Sequence, residues 1–167
     1  QRGAKIADIA VLIVAADDGV KPQTKEALQY IVASKTPYLV AATKIDLQSG
    51  NIELVKSQLE KEGVHFEGRG GDIPLVEVSA KEGLGVEKLL ETINLISEIY
   101  EVKGSADGPL EAWVIETGKD KRGPYVAVAV KNGTLNLGSE VESENRKAKI
   151  RGIFDSKGKS VKSAYPG

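Results

Sequence analysis

The chain has 167 residues, 41% of them hydrophobic and 28% charged, enough apolar material for a packed core and too much for global disorder. With no cysteine and one histidine, disulfides, thiolate chemistry and clustered zinc sites are excluded. The net charge of −1 hides an asymmetry: residues 1–107 hold 12 basic and 17 acidic side chains, a net of −5, and residues 108–167 hold 11 and 7, a net of +4. The second part is therefore suited to nucleic acid. No apolar run approaches the roughly 18 residues that span a bilayer, and no signal peptide is recognisable. A soluble cytoplasmic protein is the expectation. Methionine is absent even at position 1, which reads as a cut inside a longer chain.

Residues 9–16 form a continuous apolar run, as in a strand buried on both faces of a parallel sheet. Asp17-Asp18-Gly19 supplies turn chemistry, and Pro22 suits the first turn of a helix that carries Ala27, Leu28, Ile31 and Val32. Residues 38–42 predict a second buried strand. Asn51 is placed to cap a helix carrying Ile52, Val55 and Leu59, closed by Gly63. Residues 74–78 predict a third strand, followed by a long helix with Val86, Leu89, Leu90, Ile93 and Ile96 on one face. Three strand–helix units imply a parallel α/β sheet. At residues 103–109 the pattern changes to Gly, Ser and Pro, as in a linker. Beyond it, Trp113-Val114-Ile115 and Val126 to Val130 read as strands, and Asn132-Gly133 reads as a hairpin turn. Lys147, Lys149 and Arg151 alternate with Ala148 and Ile150, as in a strand with one wet and one buried face. Asp155 to Gly158 reads as a further turn. The expected organisation is an α/β domain over 1–102, a linker over 103–109, and a small, truncated all-β barrel over 110–167.

Two strings follow successive strands, at the carboxyl ends where nucleotides bind in an open α/β sheet: Thr43-Lys44-Ile45-Asp46 and Ser79-Ala80-Lys81. Guanine presents N1–H and a 2-amino group side by side, and one aspartate accepts from both. That role falls to Asp46. Lys44, two residues earlier, can lay its stem along the base. Small residues at Ser79 and Ala80 admit a backbone N–H to guanine O6, which adenine lacks. No G-x-x-x-x-G-K-[ST] phosphate loop is present. Gly158-Lys159-Ser160 lacks the first glycine, since Ile153 stands there, and its flanks read as a hairpin. No catalytic residue and no metal ligand is assigned: Asp17 and Asp18 read as a solvated turn, and His65 as an exposed loop residue. Lys147, Lys149 and Arg151 are candidates for RNA contact, against the alternative of a solvated strand face.

These residues resemble the bacterial translation initiation factor 2 family of translational GTPases. The resemblance rests on Arg2-Gly3-Ala4, Ala7-Asp8-Ile9, Ala15 to Thr24, the two guanine loops, Gly70-Gly71-Asp72, Val114-Ile115-Glu116, Arg122-Gly123-Pro124, Asn132 to Leu135 and Phe154-Asp155. It covers the chain in order. Three positions depart from the family pattern: Thr43 where Asn is usual, Arg69 where Trp is frequent, and Ser139 where a Gly-Asp pair is usual. The resemblance implies a partial P-loop GTPase sheet with helices, followed by a β-barrel. It implies GTP or GDP as ligand, with the phosphate loop and switches lying upstream of the residue matching Arg2. It implies the small ribosomal subunit and initiator tRNA as partners, and a parent family that hydrolyses GTP. A sheet cut in this way also leaves an edge at Ile9 to Val14 open to self-association. Two other readings remain: a non-enzymatic ribosome- or RNA-binding module, and another translational GTPase such as a specialised elongation factor.

Overall fold

The structure, a computed structural model, describes residues 7–121, 123–143 and 146–167. Arg2-Gly3-Ala4 and Arg122 lie outside the described residues. The chain divides into two compact units, Gln1–Val102 and Lys103–Gly167.

In the first unit the apolar runs become strands β1 (Ala10–Ala15), β2 (Tyr38–Thr43) and β3 (Leu75–Glu77). They pair in parallel in the order β1-β2-β3. Parallel neighbours need a crossover, and helices α1 (Pro22–Ser34) and α2 (Ile52–Lys61) lie in the connections. Pro22 occupies the first turn of α1, where its missing N–H leaves no gap. Asn51 caps α2 by accepting from the Leu54 N–H at 2.9 Å. Helix α3 (Val86–Ile99) follows β3.

Both faces of the sheet bury apolar side chains. Leu12, Val14 and Val40 pack with Leu28 and Ile31 of α1 and Val55 and Leu59 of α2, joined by Val64 and Phe66. On the other face Leu39, Ala41, Val76 and Val78 pack with Ile96 of α3. Burying each of these Val, Leu, Ile and Phe side chains stabilises the fold by about 1.5–3 kcal/mol. Pairing fixes which end of the sheet the loops share: Ala42 lies opposite Glu77, and the Val78 N–H donates to the Ala42 carbonyl at 2.8 Å. Among the described residues β1 pairs only with β2, and Ile13 is exposed. His65 is exposed in a loop where Phe66 bridges Ile73.

The second unit corrects the expectation of a barrel. Its strands form four separate two-stranded pairings: β4 (Glu111–Asp120) with β5 (Gly123–Asn132), β6 (Leu135–Asn136) with β11 (Ser163–Ala164), β7 (Glu140–Ser143) with β8 (Arg146–Lys149), and β9 (Ile153–Phe154) with β10 (Ser160–Val161). A barrel needs every strand bonded on both sides. Among the described residues each has one partner, so no sheet closes. Six of the eight strands run only two or four residues, too short to continue a ladder past their turns; β4 and β5 alone run ten each. The apolar side chains do not converge either. Trp113, Ile115, Tyr125 and Val126 are exposed, and only Leu135 and Ile153 are buried hydrophobics among the described residues of this unit.

Asn132-Gly133 is not a hairpin turn. Strand β5 ends there, and β6 pairs elsewhere. The Asn132 side chain instead accepts from the Ser105 N–H at 2.9 Å and donates to the Pro109 carbonyl at 3.0 Å. Gly133, at φ 71°, donates to the Ser105 carbonyl at 2.7 Å. The residues that read as a linker are thus tied to the end of β5. Ala148 is exposed, so β8 lacks the expected buried face. No helix among the described residues is long and apolar enough to cross a membrane.

Candidate functional site

The candidate site lies where β2 and β3 deliver their carboxyl ends. Thr43 is the last residue of β2, and its carbonyl accepts from the Ala16 N–H at 2.8 Å. It is half-buried. Lys44 follows in the left-handed region at φ 59°. That conformation is costly for a residue with a side chain. It turns the chain out of the sheet, so that Lys44 and Asp46 are both exposed. Gly50 packs where a Cβ would meet the Lys44 and Leu47 carbonyls and Ala16, which holds the loop against the sheet.

Ser79 sits just past β3 and is fully buried. Its hydroxyl donates to Asp46 Oδ1 at 2.6 Å and accepts from the Glu82 N–H at 3.2 Å. One hydroxyl therefore joins the two loops. Its hydrogen bond, helped by the Asp46 backbone N–H and by the charge of Lys81, lowers the Asp46 pKa against the opposing effect of desolvation. The carboxylate is held ionised, the form that accepts two hydrogen bonds. Ala80 and Lys81 are exposed beside it. The Ser79 N–H is used by the Leu84 carbonyl at 2.9 Å, which closes the turn that leads to Gly85 and α3. Gly85, at φ 71°, has room for no Cβ, because one would overlap the Glu77 carbonyl.

The Lys44 ammonium does not stand free. It donates to Asp17 Oδ2 at 3.0 Å, with Asp18 Oδ2 at 3.9 Å. The hydrogen bond to Asp17 raises its pKa first, and the charges of Asp17 and Asp18 add to this. Asp17 is thus the ion-pair partner of Lys44, where a solvated turn was expected. The signal was available: Asp17 follows β1 as Lys44 follows β2, and parallel neighbours share their carboxyl end. The Asp17 loop is itself pinned, since the Val20 N–H donates to Gln58 Oε1 at 2.7 Å.

The structure brings Thr43, Lys44, Asp46, Ser79, Ala80 and Lys81 to one end of one sheet. The basic residues of the second unit are arranged differently. Lys147 and Lys149 lie in β8, opposite Glu142 and Glu140 of β7, and Arg151 is exposed beyond the end of the strand. Lys147 Nζ is 3.9 Å from Glu142 Oε2. Gly158-Lys159-Ser160 lies in the β9–β10 turn, where Asp155 Oδ1 accepts from the Lys157 and Lys159 N–H groups at 2.9 and 2.8 Å.

A three-stranded parallel sheet with helices and an Asp–Ser pair across two successive strand ends fits part of a G domain, and the chain belongs to the translational GTPases. Residues 1–98 match the model of the elongation factor Tu GTP binding domain, and residues 109–167 match that of elongation factor G domain 2. The chain is 45% identical over 167 residues to translation initiation factor IF-2 of Thermotoga sp. (strain RQ2), covering 99% of this chain and 24% of that protein. It thus spans about a quarter of the length of this relative. Among solved structures it resembles GDP-bound aIF5B from Aeropyrum pernix, with a TM-score of 0.77 at 23% identity, covering 96% of this chain and 35% of that one. It also resembles the apo form of elongation factor SelB from Methanococcus maripaludis, with a TM-score of 0.73 at 25% identity over 98% of this chain and 36% of that one.

Proposed function

We propose that this chain supplies the guanine-reading part of a GTP- and GDP-binding translation factor of the initiation type. Asp46 accepts from guanine N1–H and the 2-amino group. Ser79 fixes the Asp46 carboxylate. The Lys44 stem runs along the base, the backbone at Ala80 faces O6, and Thr43 and Lys81 flank the pocket. The observation that carries this reading is the hydroxyl–carboxylate bond between Ser79 and Asp46, which joins loops from adjacent strands. The similarity to an initiation factor along nearly the whole chain supports it. On this reading the factor is cytoplasmic, works with initiator tRNA on the small ribosomal subunit, and hydrolyses GTP through residues outside the base-reading loops. The division is an α/β domain over 1–102, a connecting segment over 103–109 and a β unit over 110–167.

Asp46→Asn tests the reading in the full-length chain. An amide offers one acceptor and one donor where guanine presents two donors, so an N–H is set against an N–H. Xanthine presents one donor and one acceptor there, which the amide matches. A site that hydrogen-bonds its ligand discriminates by orders of magnitude when the pairing is broken. Competition among GTP, XTP and ATP should show the variant losing GTP and gaining XTP. An unchanged GTP-to-XTP preference would make Asp46 a solvated loop carboxylate.

A second reading, an RNA-binding module with contact through Lys147, Lys149 and Arg151, draws on the +4 charge of residues 108–167. Its test is ribosomal RNA binding at rising salt. Replacing the three residues with Ala should flatten the salt dependence by about one unit of slope per lost phosphate contact. The cross-strand glutamates argue for a small effect at Lys147 and Lys149 and a larger one at Arg151.

A further inference from the structure

We propose that Asp17 is a positioning residue of the base site, holding the Lys44 ammonium so that the lysine stem has one path beside Asp46. The inference rests on the guanine-site reading above. Three observations carry it. First, Asp17 Oδ2 accepts from Lys44 Nζ at 3.0 Å, across two loops 27 residues apart in sequence. Second, the other carboxylate oxygen, Oδ1, is shut away from water with no hydrogen-bond partner among the described residues. An unmet buried carboxylate oxygen opposes folding. Such a group is expected where the carboxylate serves something besides stability. Third, Lys44 is held in the left-handed region at φ 59°. Among the described residues two further non-glycine residues share that region: Lys35 is the C-cap of α1 and Glu101 follows the end of α3. Lys44 is the one that adjoins a candidate site. A conformation of this kind persists where its surroundings over-determine it, and the ion pair with Asp17 does so.

The anchor is stiffer than what it holds. The Asp18 and Gly19 N–H groups both donate to the Ala15 carbonyl, at 3.2 and 2.9 Å. The Asn51 N–H donates to the Ala16 carbonyl at 2.9 Å, and Gln58 holds Val20 from α2. Asp17 therefore sits on a fixed loop, whereas Lys44 is half exposed on a flexible stem. Removing the anchor frees the stem without touching the Asp46–Ser79 pair. A stem lying along the ring plane senses the base face rather than its edge. Asp17 should therefore act equally on guanine and on hypoxanthine, which lacks the 2-amino group.

The test uses the full-length chain with GDP and IDP as probes, and the variants Asp17→Asn and Lys44→Met, alone and combined. Asp17→Asn should weaken both nucleotides by about fivefold, in the lower range of coupling between residues in contact. It should add nothing once Lys44 is Met. NMR of the Lys44 ammonium should show its raised pKa falling in Asp17→Asn. An equal loss in the Lys44→Met background would mean that Asp17 acts on the loop fold and would overturn the proposal. So would a loss confined to GDP, or no loss at all. If Asp17→Asn does not fold, Lys44→Met alone must reproduce the fivefold loss for both nucleotides, and full affinity in it overturns the inference. A parent protein that binds GDP no better than ADP refutes the guanine-site reading itself, and the positioning role falls with it.

Discussion

Ser79→Ala removes the hydroxyl that joins the two loops of the candidate site. Ser79 is fully buried, so its side chain is fixed before any ligand arrives. A hydrogen bond to a charged acceptor contributes about 1.5–3 kcal/mol. Asp46 is exposed, and water replaces most of the lost bond on that side. The expected cost of Ser79→Ala is therefore about 1 kcal/mol, or roughly 4–8 °C in the Tm of a domain of this size. The pH dependence has a definite sign. The folded-state pKa of Asp46 lies below its ordinary value, with the Ser79 bond the largest cause. A depressed carboxylate stabilises the fold fully above its unfolded pKa, near pH 4, and loses that contribution as pH falls through the folded pKa. The stability gap between the parent protein and Ser79→Ala should thus be constant at neutral pH and shrink below about pH 4. Urea unfolding across this range measures the gap, and NMR of the Asp46 carboxyl measures its pKa. An Asp46 pKa that does not rise in Ser79→Ala would show that the serine does not orient the carboxylate, whatever the stability change.

Asn51→Ala removes the side-chain acceptor for the Leu54 N–H and should destabilise the first unit by about 1 kcal/mol, read by denaturant titration. An unchanged midpoint would mean that water caps α2 equally well. Gly85→Ala combines a left-handed backbone with overlap against the Glu77 carbonyl. It should cost about 3 kcal/mol and loosen the Ser79 turn, so that amide exchange at Ser79 speeds up. A fully stable Gly85→Ala with slow exchange would refute the close packing of that turn.

The α/β half was legible because its signals are redundant. β2 is a run of apolar residues that the sheet buries on both faces, and Asn51 and Pro22 mark helix starts by chemistry local to a few residues. The placement of the two candidate loops at adjacent strand ends was legible for the same reason, since each follows a strand directly. Asp17 was misread because its partner lies 27 residues away, and nothing local to Asp-Asp-Gly distinguishes an ion pair from a solvated turn. The β half failed at a different level. Its strands around Trp113 and Val126 were recognisable, but closure depends on pairing at both edges, which alternation along one strand does not encode. Asn132-Gly133 misled because positive φ at a glycine suits several loops. Here the asparagine amide had better partners at Ser105 and Pro109 than a facing strand.

The Asp46–Ser79 geometry depends on strand register more than on either loop. Val40 opposite Leu75 and Ala42 opposite Glu77 set how far β3 runs before Ser79, and that length brings the hydroxyl to Asp46. A slip of one residue would turn Val76 and Val78 out of the core and carry Ser79 to the wrong face. The apolar side chains that forbid the slip are those of the α3-facing cluster, Leu39, Ala41, Val76, Val78 and Ile96. Packing beneath the sheet is thus what aligns a hydrogen bond above it. The site does not need long loops to be accurate. It needs a core that permits one register, and a serine buried deeply enough that its hydroxyl has a single direction to point.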